Sequence, residues 1–250
     1  MLAHLFNFLN QLSPFELQAP WDNSGINLGH LSAPFEQVVI SLEATLELAL
    51  EVPPKTCILA HHPLFFKVLK NFNPTLYPYN IATPLIQKSC ALIALHTNFD
   101  ITHLNAHFAS LLGFENLESE GFALMGAIAP IKLEDLLHHV QERLQLPYVR
   151  YVCADHNIEH VAIVCGAGAS YLQDLTHIPK GLCLITGDVK HHDAMAAKSM
   201  GVSVIDVGHY ESEKYFVPLL HSLLATWLQT QAKHVRLHDC KNPFDFKGMA

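Results

Sequence analysis

Apolar residues recur along this chain in two rhythms, and the alternation between them is the first guide to its architecture. Helical spacing runs through residues 2–12, 44–51, 81–88, 103–112, 191–200 and 211–229. It is clearest at 132–145, where Leu133, Leu136, Leu137, Val140 and Leu144 form one stripe. Short apolar runs read as strands at 38–43, 57–60, 91–95, 148–153, 161–165, 182–185 and 202–207. Gly113 and Gly201 follow two of the helical stretches as stop signals. Strand–helix alternation over the whole length predicts the α/β class with much parallel sheet. The mixed stretch 114–130, with Gly121, Gly126 and Pro130, is the expected boundary. It separates a first α/β domain (1–125, completed by part of the C-terminal helix region) from a second (126–250). The segment after Ala232 is polar and expected to be loosely held.

Polar residues gather where the apolar runs stop. Ile58-Leu59-Ala60 runs into His61-His62-Pro63, and Pro63 cannot donate to a sheet ladder, so the strand ends at two imidazoles. The run 91–95 ends at His96, with Asp100 just beyond. The run 182–185 leads to Asp188, and 202–207 leads to His209 and Glu213. In open α/β sheets ligands sit at the carboxyl ends of strands. A lone histidine there is usually a hydrogen-bonded bystander, but four such ends in one chain point to a site. His209 and Glu213 are spaced i, i+4, which puts both on one helical face where they could share a metal; a solvated first turn is the other reading. Adjacent His61 and His62 should diverge in extended chain and suit two ions rather than one. Glu213 or Asp100 could then bridge. An all N/O donor set without thiolate suits Zn, Mn, Fe or Co, and two ions ~3.5–4 Å apart can hold and ionise a water for hydrolysis.

Weaker signals accompany these. Gly166-Ala167-Gly168 could bring backbone amides to a phosphate, or could simply be a tight turn; it lacks the Lys-Ser/Thr of a P-loop. His191 and His192, after Lys190, could line a site, whereas Asp193 reads as an exposed first-turn acid. Trp21-Asp22-Asn23-Ser24-Gly25 is a polar turn carrying one of two tryptophans. No G-x-S-x-G elbow occurs, and no cysteine is arranged as a nucleophile with a histidine.

Composition narrows the partners. Half of the 250 residues are hydrophobic, enough for a sizeable core, and the net charge of −8 argues against nucleic acid or an anionic membrane. Six cysteines without a C-x-x-C pair read as reduced residues of an intracellular, cytoplasmic protein. No run reaches the ~20 apolar residues of a membrane span, and the N-terminus has no basic region of a signal peptide.

Taken together, the motifs resemble the short bacterial GTP cyclohydrolase I type 2 homologues, the Nif-three-like family. The resemblance rests on 21–29 (WDNSGINLG), 61–66 (HHPLFF), 96–100 (HTNFD), the Gly166–Gly168 turn, 186–194 (TGDVKHHDA) and 204–213 (VIDVGHYESE), in that order. It implies two related α/β domains with a dinuclear metal site in the cleft between them, and a ring-shaped homohexamer. It implies as metal ligands His61, His62, Asp100, His209 and Glu213, with Glu213 bridging, His61 and Asp100 on one ion, and His62 and His209 on the other. His96, Lys190 and His191 match positions lining the site, and His96 or His191 could relay protons. The implied reaction is opening of the guanine imidazole ring of GTP with release of formate, dependent on two divalent ions (Zn, Fe, Mn or Co). A dinuclear phosphoesterase acting on nucleotides and a non-enzymatic, metal-binding hexameric scaffold are the alternatives.

Overall fold

The structure, a computed structural model, describes residues 1–231 and 234–245. In chain order its elements are α1 (Leu2–Leu12), β1 (Gly25–Leu28), β2 (Gln37–Ser41), α2 (Leu46–Glu51), β3 (Thr56–Ala60), α3 (Tyr79–Gln87) and β4 (Ala91–Ala94). The short helix α4 (Thr97–Phe99) runs through a π-helical turn (Asp100–Leu104) into α5 (Asn105–Leu111). Then come β5 (Glu118–Glu120), β6 (Ala123–Lys132), α6 (Leu133–Leu144), β7 (Arg150–Val152), β8 (Asn157–Ile163), a 3-10 turn (Gly168–Gln173) and β9 (Leu182–Thr186). The chain closes with α7 (His191–Ser199), β10 (Ser203–Asp206), α8 (His209–Glu213), α9 (Phe216–Gln231) and β11 (His234–Leu237).

Two compact units result: Met1–Asn98 together with Phe216–Ala250, and Phe99–Tyr215. In the first, the strand order is β1-β4-β3-β2-β11. β11, β2, β3 and β4 are parallel, and β1 runs antiparallel to β4 at the edge. All five residues of β3 are buried, as expected of a central parallel strand covered on both faces. Helices supply the cover through apolar stripes: Leu2, Leu5 and Leu9 of α1 and Phe216, Leu220, Leu224 and Leu228 of α9 are buried. Thr45 caps α2 by accepting the Leu48 N–H at 3.1 Å. At the other end of α2 the Lys88 ammonium donates to the carbonyls of Ala49, Leu50 and Val52, satisfying acceptors the helix cannot.

In the second unit the order is β5-β6-β8-β9-β10-β7, with β8, β9 and β10 parallel and the remaining pairings antiparallel. Its core joins Leu182, Leu184 and Val204 of the strands, and Val164 just after β8, to Leu172 of the 3-10 turn and Ala197 of α7. Both units are thus α/β, each with a parallel centre and an antiparallel edge.

Several expectations change on contact with the fold. The boundary expected at 125/126 falls inside β6, a ten-residue strand. Gly126 and Pro130 look like breakers in the sequence, but the β6–β8 register slips between Ala127 and Ile131, so Pro130 lies where no ladder bond is required of it. The division lies instead at Asn98/Phe99 and Tyr215/Phe216. The helix expected over 211–229 is two, α8 and α9, with Lys214 and Tyr215 between them. Pro218 has no N–H to continue a helix from 214, yet fits the first turn of one that restarts at Phe216. The segment after Ala232 contains a sheet strand, β11, paired with β2 from His234↔Gln37 to Leu237↔Ile40; its last residues, 246–250, lie outside the described residues. Gly25–Leu28, which carries no strand signal of its own, is β1.

Candidate metal centre

Each predicted ligand group follows a parallel strand or opens the helix after it. In the first unit β3 ends at Ala60, and the amides of both His61 and His62 reach back to the Leu42 carbonyl (3.2 and 3.3 Å). This shared acceptor bends the chain away from extended geometry. The two imidazoles therefore do not point to opposite faces as extended chain would require. Their ring centroids lie 4.9 Å apart, tilted by 58°. His96, two residues beyond β4, joins them: one potential ligand atom each from His61, His62 and His96 lies within 4.8 Å of the others.

What orients these rings is the oxygen each Nδ1 meets. His61 Nδ1–H donates to the Leu95 carbonyl at 2.9 Å, His62 Nδ1–H to Glu43 Oε1 at 2.6 Å, and His96 Nδ1–H to Asp22 Oδ1 at 2.8 Å. A carbonyl or a carboxylate can only accept, so a proton sits on Nδ1, and it is Nε2 that carries the lone pair whenever the ring is neutral. Metal-ligating histidines are held in this way, by an outer oxygen that fixes the tautomer and raises the basicity of the other nitrogen.

Asp22 is the most heavily engaged of these anchors. Its carboxylate also accepts from the amides of Asn23 and Thr97 and from the hydroxyls of Ser24 and Thr97. Burial acts to raise its pKa, but the hydrogen bonds and charge from His96, with those from Thr97 and Asn23, outweigh it and hold the carboxyl well below the usual carboxylate range.

The second unit builds its own group of candidate residues differently. β10 leads through Val207 and Gly208 to α8, where His209 and Glu213 lie one turn apart with Nε2 and Oε2 at 2.9 Å. His209 Nδ1–H donates to Asp188 Oδ2 at 2.9 Å, the same Nδ1 anchoring seen in the first unit. Asp188 itself, just past β9, adopts a left-handed φ of 51°. Asp100 is buried and opens the π-helical turn, a feature common at functional positions. Asp100 and Glu213 both act on one buried thiol: burial first, then these two carboxylates, push Cys165 well above its usual value.

The Gly166-Ala167-Gly168 turn serves Glu213 rather than a phosphate. Its Gly166 amide donates to Ser212 Oγ and its Gly168 amide to Thr186 Oγ1, both at 2.9 Å, while Thr186 Oγ1–H donates to the Gly166 carbonyl. With those amides engaged, the cradle reading loses two of the turn's three donors. A Cβ on Gly166, whose φ is +66°, would stand 2.2 Å from Glu213 Oε1. Glycine is required there because the carboxylate occupies that space.

His191 opens α7, exposed, with its ring 5.5 Å from that of His192. Lys190 precedes it as the N-cap residue. Asp22, Glu43, Ser212 and Thr186 carry functional contacts that local sequence does not single out. Asp22 lies within the polar turn 21–25, but its partner His96 is 74 residues away.

The donor set fits divalent ions. It is nitrogen and carboxylate only, and every histidine in it is turned by an oxygen at Nδ1. The cysteines among the described residues are free thiols, four of them buried. Among the described residues no helix is long and apolar enough to cross a membrane.

Known proteins resemble this chain over nearly its whole length. Residues 1–243 match the family model Duf34/NIF3 (NGG1p interacting factor 3). A Helicobacter pylori protein named GTP cyclohydrolase 1 type 2 is 44% identical over 236 residues, covering 94% of each chain. A Campylobacter jejuni protein named as a homolog of it is 36% identical, covering 98% of this chain and 99% of that one. The crystal structure of a Bacillus cereus protein related to NIF3 superposes with a TM-score of 0.83 over 98% of both chains, at 18% identity, and so attests the fold alone.

Proposed function

This chain belongs to the Duf34/NIF3 family, and from that premise we propose that it is a dinuclear metal-dependent hydrolase that opens the guanine ring of GTP with release of formate, as its curated relatives' names suggest. The observation that carries the reading is the common anchoring of His61, His62, His96 and His209: each gives its Nδ1–H to an oxygen, so that Nε2 is the ring nitrogen turned from the anchor, that of His209 lying 2.9 Å from Glu213 Oε2. Such an orientation serves metal ligation at His61, His62 and His209 and equally serves a proton acceptor at His96.

In this proposal His61, His62, Asp100, His209 and Glu213 would hold the ions, His61 and Asp100 serving one and His62 and His209 the other, with Glu213 shared. Divalent ions at such a site polarise water and substrate oxygens. The protein's own groups prepare the ligands and move the protons. Leu95, Glu43 and Asp188 fix the tautomers of His61, His62 and His209. The Gly166 turn holds room for the Glu213 carboxylate. His96 Nε2 accepts a proton, and the resulting imidazolium is stabilised through Nδ1–H by the ionised, many-times bonded Asp22. His191 is the second proposed proton carrier. The proposed assembly is a homohexamer, with a nucleotide as the small-molecule partner and a cytoplasmic location.

The test joins metal analysis to product analysis. Freshly purified protein is assayed for metal, incubated with GTP and followed by mass spectrometry, with Glu213→Gln as the comparison. The expected result is about two divalent ions per chain, loss of formate from GTP, and neither in the variant. Release of phosphate instead assigns a phosphoesterase. Bound metal with GTP unchanged refutes the hydrolase and leaves a scaffold. Absence of metal under every loading condition overturns the site.

A further inference from the structure

Two large aromatic rings beside this site face water at a cost the fold does not explain. Trp21 is 63% exposed and Phe66 43% exposed. Both meet the same imidazole nearly at right angles: Trp21 lies 5.9 Å from His96 at 72°, and Phe66 lies 5.5 Å from it at 78°. The neighbouring exposed aromatics make other contacts, Phe72 against Tyr79 at 5.0 Å for example.

The segments carrying the two rings are tied to each other. Asn23 Nδ2–H donates to the Phe65 carbonyl at 2.6 Å, and the Phe65 amide donates to Asn27 Oδ1 at 3.3 Å. Asp22, next to Trp21, is locked to His96 and Thr97, and the Ser24 amide is held by Gln18 Oε1 at 2.7 Å. The Trp21 turn and the Phe65–Phe66 segment therefore form one rigid frame in which the rings need little further ordering to bind.

We propose that Trp21 and Phe66 form an aromatic grip for a planar heteroaromatic ring, a purine base, and deliver it to His96. Every base offers a flat π-face, and stacking on an exposed aromatic ring removes both surfaces from water. A base lying on either ring keeps that ring's near-perpendicular approach to His96, which brings the base's polar edge to the imidazole. The inference deepens the hydrolase reading by naming the residues that recognise the base, and it rests on that reading only for the reaction after binding.

Trp21 is its own reporter once the other tryptophan is removed. The metal-loaded, full-length Trp227→Phe protein is titrated with guanosine 5′-monophosphate and, separately, with ribose 5-phosphate, while tryptophan emission is followed. The expected result is saturable quenching by the nucleotide, none by the ring-less sugar phosphate, and a dissociation constant weakened roughly tenfold by Phe66→Ala. Equal response to both ligands, no response to the nucleotide, or an affinity untouched by Phe66→Ala overturns the grip. So does emission that changes with protein concentration but not with nucleotide, because a second copy of the chain would then cover the rings. The two failures separate cleanly. Formate released from GTP with a silent Trp21 refutes the grip and leaves the reaction. Quenching with GTP unchanged refutes the reaction and leaves the grip.

Discussion

The two units orient their candidate ligand side chains by different physical means. In the first, His61 is fully buried and is aimed by a backbone carbonyl that belongs to the sheet. The His96 side chain is 10% exposed, and that of its anchor Asp22 not at all. In the second, the His209 side chain is 32% exposed and that of its anchor Asp188 56% exposed, on a helix of five residues. What fixes Glu213 there is space: a turn without a side chain, closed by Ser212 and Thr186. Orientation of His61 and His96 in the first unit is thus tied to the stability of the fold, whereas that of Glu213 in the second depends on local steric fit.

The sharpest way to break this comparison is Gly166→Ala. A Cβ 2.2 Å from Glu213 Oε1 must displace the carboxylate, so we expect metal content per chain to fall to background. Gly121→Ala is the control: φ is +60°, close to the +66° of Gly166, but nothing lies within 4 Å of the new methyl. It should show only the left-handed strain, about 1 kcal/mol in denaturant melts, with metal retained. Equal metal loss in both would show that strain rather than space sets the site.

Asp22→Asn should act next most strongly, and on stability as well as on His96. Removing an acceptor of several buried hydrogen bonds should cost about 1–3 kcal/mol at neutral pH. The wild-type carboxyl has its pKa lowered in the fold, so the unfolded chain takes up that proton first as pH falls. Its stabilisation is present above the ordinary carboxylate range near pH 4 and is lost progressively below it. Urea melts between pH 3 and 7 should therefore slope less steeply on the acid side for Asp22→Asn.

The smallest effects should come from the part-exposed anchors. Glu43→Gln and Asp188→Asn each keep a hydrogen-bond acceptor but lose the charge. We expect about a tenfold drop in metal affinity by competition with a chelator, and melting temperatures close to wild type. A large loss of stability in Asp188→Asn would erase the contrast between the units.

Much of this was legible in the sequence because strand ends are legible. A short apolar run followed by His61-His62-Pro63 announces both the element and the place where chemistry can sit. The i, i+4 pair at α8 lies where the polar residues suggested, whereas the π-helical turn Asp100–Leu104 replaces the start of the helix expected over 103–112. What stayed hidden depends on pairing across the chain. β6 was obscured because a register slip excuses its Pro130, a fact that belongs to β8 as much as to β6. β11 has too few residues to signal a strand without β2 beside it. The anchors Glu43 and Asp188 lie 19 and 21 residues from the histidines they orient, and no local spacing connects them. The expected divergence of His61 and His62 failed for the same reason: Leu42, from another segment, bends the pair.

The position of β11 has a consequence for how the protein is made. The first unit begins the chain, yet the outer strand of its sheet is residues 234–237, synthesised after the whole second unit. At roughly 5–20 residues per second, the β2 edge emerges on the order of ten seconds or more before the strand that covers it. During that interval the nascent chain carries an open parallel edge, the kind of surface that pairs with whatever strand is near. The second unit is contiguous from Phe99 to Tyr215 and can close while the first still waits for its last strand. Ribosome-bound chains halted before residue 234 should accordingly call on chaperones in a way that chains released at full length do not.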